Sequence, residues 1–323
     1  MPRESFPLVI TLLSELFLRP QITADTIREG REKRLRALPI SEHPLERGVR
    51  ALLYQAGLFG TGMPSGQPTE VREVWRKAFR PEGVAIGVVG DVPLEQVVQR
   101  IGASLGSWRP PMPTRERWSS PSETGAAQDA PHPVVGVLLP GPAPGDARFP
   151  AFLVGLAALL DGKGSIVGRE VRYAKSLAYE AGVLRFARAG RMWALFYLGT
   201  DEAGVGEQVL SLLRSGVERI TEDELERGKS YLLSALRYIG GGGSLFSSLS
   251  GAAVEPIERA HRYAWLQAFA VQGGPDHGLE RAIASVQAAE VREVMAAAVR
   301  DSRALSAGSD TQVALRRQRS WKR

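Results

Sequence analysis

The chain has 323 residues, which is enough for two domains of ordinary size, and its 44% hydrophobic and 24% charged residues are typical of a globular protein. It contains no cysteine, which excludes disulfides and thiolate zinc sites, and only four histidines. Its net charge is +6, and its end, "LRRQRSWKR", is strongly basic. Because no nucleic-acid-binding motif accompanies that segment, we interpret it as a solvated tail and predict no nucleic-acid partner.

The most apolar stretch, "FPLVITLLSELFL" (6–18), does not reach the roughly 18 uninterrupted residues that a membrane span requires. Ser14 and Glu15 interrupt it, and it lacks the basic flank and cleavage site of a signal peptide. We therefore predict no membrane span and a cytoplasmic location.

The first part of the chain is predicted to be mostly helical. Periodicity and proline positions indicate helices at 8–18, 24–38 (capped by Thr23), 44–60, 68–80 and 94–108. The apolar run "GVAIGVVGDV" (83–92) predicts one buried strand. A single strand leaves its own backbone groups without partners, so this part looks incomplete as a sheet.

Residues 109–133 contain six prolines and many small polar residues, which is typical of a linker. The sequence therefore predicts a truncated first half at 1–108, this linker, and a second half at 134–323.

The second half alternates strands and helices, which predicts an α+β fold. A strand at 134–140 is followed by a helix at 150–162 and a short helix at 166–175. Residues 176–187 and 191–200 indicate a hairpin. The remaining predictions are helices at 202–219, 222–238 (with a capping box of Thr221 and Glu224), 245–271 and 285–299.

Four segments of this sequence follow one another in a characteristic order: "VVGDVPLEQVVQRIGASLGSW", the proline-rich linker, "LVGLAALLDGKGSIVGREVRYAKSLAYEAG" and "ITEDELERGKSYLLSAL". In this order the chain resembles the pitrilysin/insulinase family of zinc metallopeptidases, and most closely its bacterial mitochondrial-processing-peptidase-like branch. The resemblance implies the metalloenzyme fold of LuxS and the mitochondrial processing peptidase, a mixed sheet packed by helices. It also implies two homologous halves, of which the first is incomplete here.

Active members of that family hold zinc with an H-x-x-E-H motif and a later glutamate, and this sequence lacks the motif. Leu35, Arg36 and Ala37 stand near the position of the later glutamate. Glu29 and Glu32 lie one to two turns too early, so we interpret them as solvated helix charges.

None of the histidines has a neighbouring residue arrangement that suggests a metal site. We therefore predict no catalytic residue, no metal and no cofactor in this chain, and expect the zinc in a homologous partner subunit. The four histidines are His43, His132, His261 and His277.

The resemblance also implies that Arg172 and Tyr179 bind a peptide substrate held at the partner's zinc. A guanidinium and a phenol both donate hydrogen bonds, which suits a peptide carbonyl or a developing oxyanion. The alternative is that Arg172 caps the short helix and Tyr179 packs at the start of a strand.

A glycine-rich loop, "DGKGS" (161–165), contributes Gly162, Gly164 and Ser165 as further candidates. It matches the position of a loop that contacts presequences in the non-catalytic subunit of the processing-peptidase branch. It lacks the spacing of a phosphate-binding loop, and a simple turn at a helix exit is the alternative.

From these features we predict a non-catalytic subunit that shares a peptide site with an H-x-x-E-H-bearing partner and does not cleave peptides alone. The alternative is a structural subunit that resembles the core proteins of respiratory complexes and has no part in proteolysis.

Overall fold

The computed structural model describes residues 3–37, 44–56, 67–81, 84–109, 133–178, 180–188, 190–200, 204–238, 255–268 and 278–307. In chain order the elements are α1 (Phe6–Leu18), α2 (Ala24–Ala37), α3 (Pro44–Gln55), α4 (Pro68–Ala78), α5 (Leu94–Leu105), β1 (Val134–Pro140), α6 (Phe149–Leu159), α7 (Ile166–Arg169), β2 (Ala181–Arg188), β3 (Arg191–Gly199), α8 (Val205–Glu218), α9 (Glu222–Tyr238), α10 (Glu255–Ala268), α11 (Gly278–Ser285), α12 (Ala288–Arg300) and β4 (Arg303–Ala307). No helix in these ranges is long and apolar enough to cross a bilayer.

Contacts within the chain define two units, of which the first contains α1, α2, α4, α5 and residues 259–268 of α10. Phe17 of α1 packs against two other aromatic residues of this first unit. The ring of Phe17 lies 5.7 Å from that of Phe79 and stacks on Trp108 at 5.2 Å, measured between centroids. The N-cap predicted for α2 is confirmed, because the Oγ1 of Thr23 accepts the main-chain N–H of Thr26 at 3.2 Å.

The strand predicted at 83–92 is not found, since residues 84–89 form no ladder with any strand that the structure describes. The segment packs on a helix instead. A Cβ built on Gly87 would lie only 1.9 Å from the carbonyl oxygen of Ala260 in α10. An apolar run becomes a strand only when a neighbouring strand supplies hydrogen-bond partners, and the described part of this unit supplies none.

The second unit is built on a four-stranded sheet in the order β2-β3-β1-β4. The predicted strand 134–140 is confirmed as β1, and the predicted hairpin is confirmed as β2 and β3, which pair from Ala181↔Leu198 to Arg188↔Arg191. All three pairings are antiparallel, so the mixed sheet predicted from the resemblance is wrong for the described strands. The α+β class itself is confirmed.

Helices cover both faces of this sheet. Leu52 of α3 is fully buried in a cluster with Val134, Leu138 and Leu195, so α3 belongs to the second unit although it precedes β1 by many residues. On the opposite face, a Cβ on Gly206 of α8 would lie 3.3 Å from a methyl of Val135. The side-chain alternation of a strand places even- and odd-numbered β1 residues against different helices.

Helix α6 lies at the centre of the helical layer and contacts α9 and α12. All its residues except Pro150 are buried. A helix that is apolar on every side is stable in water only when other elements surround it, and α6 meets that condition.

Asp146 stabilises the turn that leads into α6. Its carboxylate accepts hydrogen bonds from the Nε, Nη2 and main-chain N–H of Arg148 at 2.7–3.0 Å. These bonds lower the pKa of Asp146 from 3.8 to about 2. Because the folded-state pKa is depressed, the stabilisation is complete above pH 3.8 and is lost as the pH falls through about 2.

We expect Asp146→Asn to lower the free energy of unfolding by about 1 kcal/mol at pH 7, since solvent screens the partly exposed pair. Urea denaturation of the variant and the wild type at pH 7, 4 and 3 measures the difference. It should shrink toward the lowest pH, and a constant difference would show that the carboxylate charge is not its source.

Candidate functional site

The glycine-rich loop 161–165 connects α6 to α7. Gly162 has φ +72°, a left-handed conformation that a glycine adopts without strain. The fully buried Ser165 caps α7, since its Oγ accepts the N–H of Gly168 at 3.2 Å and donates to the carbonyl of Gly162 at 2.9 Å. Gly164 is exposed, and its carbonyl accepts a hydrogen bond from Arg169 at 2.7 Å. Gly162 and Ser165 therefore both have roles in building this turn.

Arg172 lies in a π-helical turn, Glu170–Ala174, that continues α7, and it is half-buried. The turn ends at Ser176, whose φ of 52° is left-handed. The main-chain N–H groups of Lys175 and Leu177 donate to the carbonyls of Glu170 and Val171 at 2.9 and 2.8 Å. The main chain therefore satisfies two of the carbonyls of this turn. Tyr179 lies outside the described residues.

Asp161, the first residue of the loop, forms a buried ion pair with Arg185 that the sequence analysis does not predict. Their side chains are only 7% and 4% exposed. Burial raises the pKa of Asp161, and the positive charge of Arg185 opposes that rise. The pair connects the end of α6 to the middle of β2, so it holds the base of the loop on the sheet.

The pairing register of β2 with β3 indicates that Arg185 requires a charged partner. Arg185 pairs with Ala194, and Val183 pairs with Phe196, so Arg185 shares the sheet face of the buried Ala194 and Phe196. A charged residue at a buried position of a strand requires an oppositely charged partner. Its identity depends on the tertiary fold, because Asp161 lies 24 residues away in the sequence.

Tyr231 of α9 stands next to the same pair. A Cβ on Gly162 would lie 4.0 Å from the Tyr231 ring. Burial, and then the negative charge of Asp161, raise the pKa of the Tyr231 phenol above its usual value. The phenol therefore stays protonated at neutral pH and can donate a hydrogen bond.

Glu224 of α9 binds two arginines at the edge of the loop. Its carboxylate lies 2.7 Å from Arg169 Nη2 and also pairs with Arg227. Burial, and then the charge of Arg169, lower the pKa of Arg227. One part of the predicted capping box is present, because Thr221 accepts the N–H of Glu224 at 3.3 Å. The Glu224 side chain, however, turns toward the two arginines.

Within the described ranges, no three His, Asp or Glu side chains come together as a metal site would require. Glu29 is exposed and pairs with Lys33 at 2.7 Å, which confirms its interpretation as a solvated helix charge. A hydrogen bond from Lys33 lowers the pKa of Glu29. The side chains of the four histidines fall outside the described part of the chain.

Together, the loop, α7 and α9 form a surface that is rich in hydrogen-bond donors. The exposed Lys163, the partly exposed guanidiniums of Arg169 and Arg227, and the phenol of Tyr231 lie within a few residues of the loop or in contact with it. Donors of this kind suit carbonyl oxygens and carboxylates.

Two of the solved structures that are similar to this chain share its fold over most of its length. One is a peptidase M16 inactive domain from Pseudomonas fluorescens, with 16% identity and a TM-score of 0.62 over 95% of this chain and 75% of that one. The other is the first half of the periplasmic protease PqqL from Escherichia coli, with 11% identity and a TM-score of 0.58 over 97% of this chain and 72% of that one. Both likenesses concern the fold alone.

A protease from Helicobacter pylori is also similar, with 15% identity and a TM-score of 0.49. The match covers 68% of this chain and 54% of that protease. This chain therefore spans about half the length of that protease. No curated protein sequence is significantly similar to the chain.

The sequence model of the family described as the peptidase M16 inactive domain matches residues 67–232, just over half of the 323 residues. The matched region runs from α4 to α9 and includes the glycine-rich loop, Arg172 and Arg185. The chain therefore belongs to the peptidase M16 family, through its inactive domain, as the resemblance to the pitrilysin/insulinase family predicts.

Proposed function

We propose that the chain is a non-catalytic subunit of an M16 zinc metallopeptidase that helps an active partner to hold its peptide substrate. The observation that carries this proposal is the match to the inactive domain, in a sequence that has no H-x-x-E-H motif. The zinc and the general base would then come from a homologous subunit that bears the motif.

In this proposal Arg172 and Tyr179 donate hydrogen bonds to the backbone of the substrate or to the oxyanion that forms during attack by water. The donor-rich surface around Gly162, Gly164 and Ser165 supports the proposal, since a bound peptide presents carbonyl oxygens along its length. The turn built by Gly162 and Ser165 would position this surface.

Three finer assignments belong to the same proposal. The chain contains an incomplete first half and a second half of the family architecture, with the predicted limits 1–108 and 134–323. The chain belongs to the processing-peptidase-like branch. It acts in the cytoplasm, together with its partner subunit.

Co-expression with each H-x-x-E-H-bearing relative from the same genome tests the proposal. Purified pairs are assayed for cleavage of an internally quenched peptide library, with wild type, Arg172→Ala and Tyr179→Phe. We expect cleavage to fall about 10- to 1000-fold in each variant, because an oxyanion or substrate donor is lost. The melting temperature should stay the same, because the proposed role of both side chains is to bind substrate and not to pack the fold.

Lys175→Ala is the matched control, because Lys175 is an exposed cation three residues after Arg172. It should change cleavage less than about twofold. Unchanged cleavage with a lowered melting temperature in Arg172→Ala would mean that Arg172 is structural. A stable complex with membrane-bound respiratory subunits and no peptide affinity would favour the scaffold alternative.

A further inference from the structure

Two helices of the first unit present a row of exposed aliphatic side chains. Helix α1 exposes Leu8 by 61%, Leu12 by 60% and Leu16 by 49%, and the spacing of four residues aligns them on one side. Helix α5, which contacts α1, exposes Leu94 by 71% and Val98 by 62%. We call these five residues the leucine face.

Helix α1 is apolar on its inner side as well. Phe6 and Ile10 are buried, and Glu15 is the one charged residue among its 13 residues. Helix α6 has a similarly apolar composition and is buried almost completely. Because contiguous exposed apolar patches mark interaction sites on soluble proteins, the outer side of α1 has the composition of a covered surface.

The charges at the two ends of α1 indicate what covers it. Glu4 precedes the helix and Arg19 follows it, and both are exposed. Arg19 also lies 3.5 Å from Glu15 of its own helix, but this pair is exposed and weak, and the guanidinium has further donors for a second carboxylate. If two copies of α1 pair antiparallel with Leu12 at the twofold axis, Leu8 lies opposite Leu16 and each Glu4 comes within reach of the other Arg19. Parallel pairing would instead bring like charges together. The surface is therefore complementary to itself in one orientation.

We propose that a second copy of this chain covers the leucine face, through antiparallel pairing of α1 with α1 around a twofold axis. Two adjacent helices about 20 Å long and about 10 Å apart give a face of about 400 Å² on each copy. The total of about 800 Å² is below the roughly 1,200 Å² of stable complexes. The dimer is therefore weak and depends on protein concentration.

Sedimentation velocity of the full chain from about 1 to about 500 µM tests the proposal. Wild type should shift from monomer to dimer within that range. Leu12→Glu should remain monomeric, because the two introduced carboxylates meet at the axis. Val74→Glu is the control, since Val74 is 51% exposed on α4 outside the leucine face, and it should dimerise like wild type. Circular dichroism verifies that each variant is folded.

A charge exchange separates specific pairing from general stickiness. Glu4→Arg and Arg19→Glu should each weaken the dimer several-fold, and the double variant should restore it. A wild type that stays monomeric at every concentration overturns the proposal, and so does a dimer that survives Leu12→Glu. Binding of a different M16 chain to the face of a monomeric wild type would also overturn it.

Discussion

Replacing Asp161 with asparagine should lower the free energy of unfolding by about 3–5 kcal/mol. The substitution removes one charge of a buried pair and leaves the guanidinium of Arg185 without compensation in a place that water does not reach. Urea denaturation at pH 7, followed by circular dichroism, measures the loss. The expected value is large because Arg185 lies in the middle of β2 and cannot move to solvent without disturbing its pairing with β3.

Glu170→Gln is the control for this experiment, since Glu170 pairs with Arg219 at 3.0 Å in a half-exposed position. Its loss should cost less than about 1 kcal/mol. The double variant Asp161→Leu/Arg185→Met should recover most of the stability, because neither charge then remains to be compensated. If Asp161→Asn costs no more than Glu170→Gln, the pair does not hold the loop on the sheet.

Replacing Leu52 with alanine should lower the free energy of unfolding by about 2–5 kcal/mol and should destabilise the sheet on which Leu52 packs. Leu52 is fully buried, and a Cβ built on Gly136 of β1 would lie only 2.7 Å from its Cδ1 methyl. Glycine at position 136 therefore allows the leucine to approach the backbone of the strand. Truncation leaves a cavity between α3 and β1 that neither element can close without shifting.

Limited proteolysis locates this effect along the chain. Cleavage within residues 133–200 should accelerate in Leu52→Ala, although the substitution lies far outside that range. Val74→Ala, at a half-exposed position of α4, should change the free energy of unfolding by less than about 0.5 kcal/mol. Cleavage confined to the neighbourhood of residue 52 would show that α3 does not support the sheet.

Most of the helices and the β2–β3 hairpin could be predicted from sequence because their signals are local, but no prediction covers α11 (Gly278–Ser285). Periodicity, proline positions and Thr23 limit the helices, and the alternation around Arg188–Gly190 indicates the hairpin. β4 could not be predicted in this way. This strand has only five residues, "RALSA", and most of them are exposed. They form a strand because one edge of β1, opposite β3, is available for pairing. The run at 83–92 shows the opposite case, an apolar segment without a described strand beside it.

In the candidate site, too, local features could be predicted from the sequence and contacts between distant residues could not. The turn at Gly162 and Ser165 follows from local chemistry, and the sequence indicates it correctly as a helix exit. The partners of Glu224 do not follow from local chemistry, because Arg169 lies 55 residues earlier in the chain and competes with the capping box for the same carboxylate. The roles of Arg172 and Tyr179 come from the family resemblance and stay predictions.

The position of α3 on the sheet also affects how the protein folds while it is being synthesised. A ribosome adds about 5–20 residues each second, and about 250 residues separate the end of α3 from the end of β4. The apolar side of α3 therefore waits roughly 12–50 s for its complete sheet. During that time Leu52 and its neighbours are available to chaperones and to other nascent chains, and such distant pairings also slow folding. Expression at lower temperature or with additional chaperone should therefore increase the yield of folded protein.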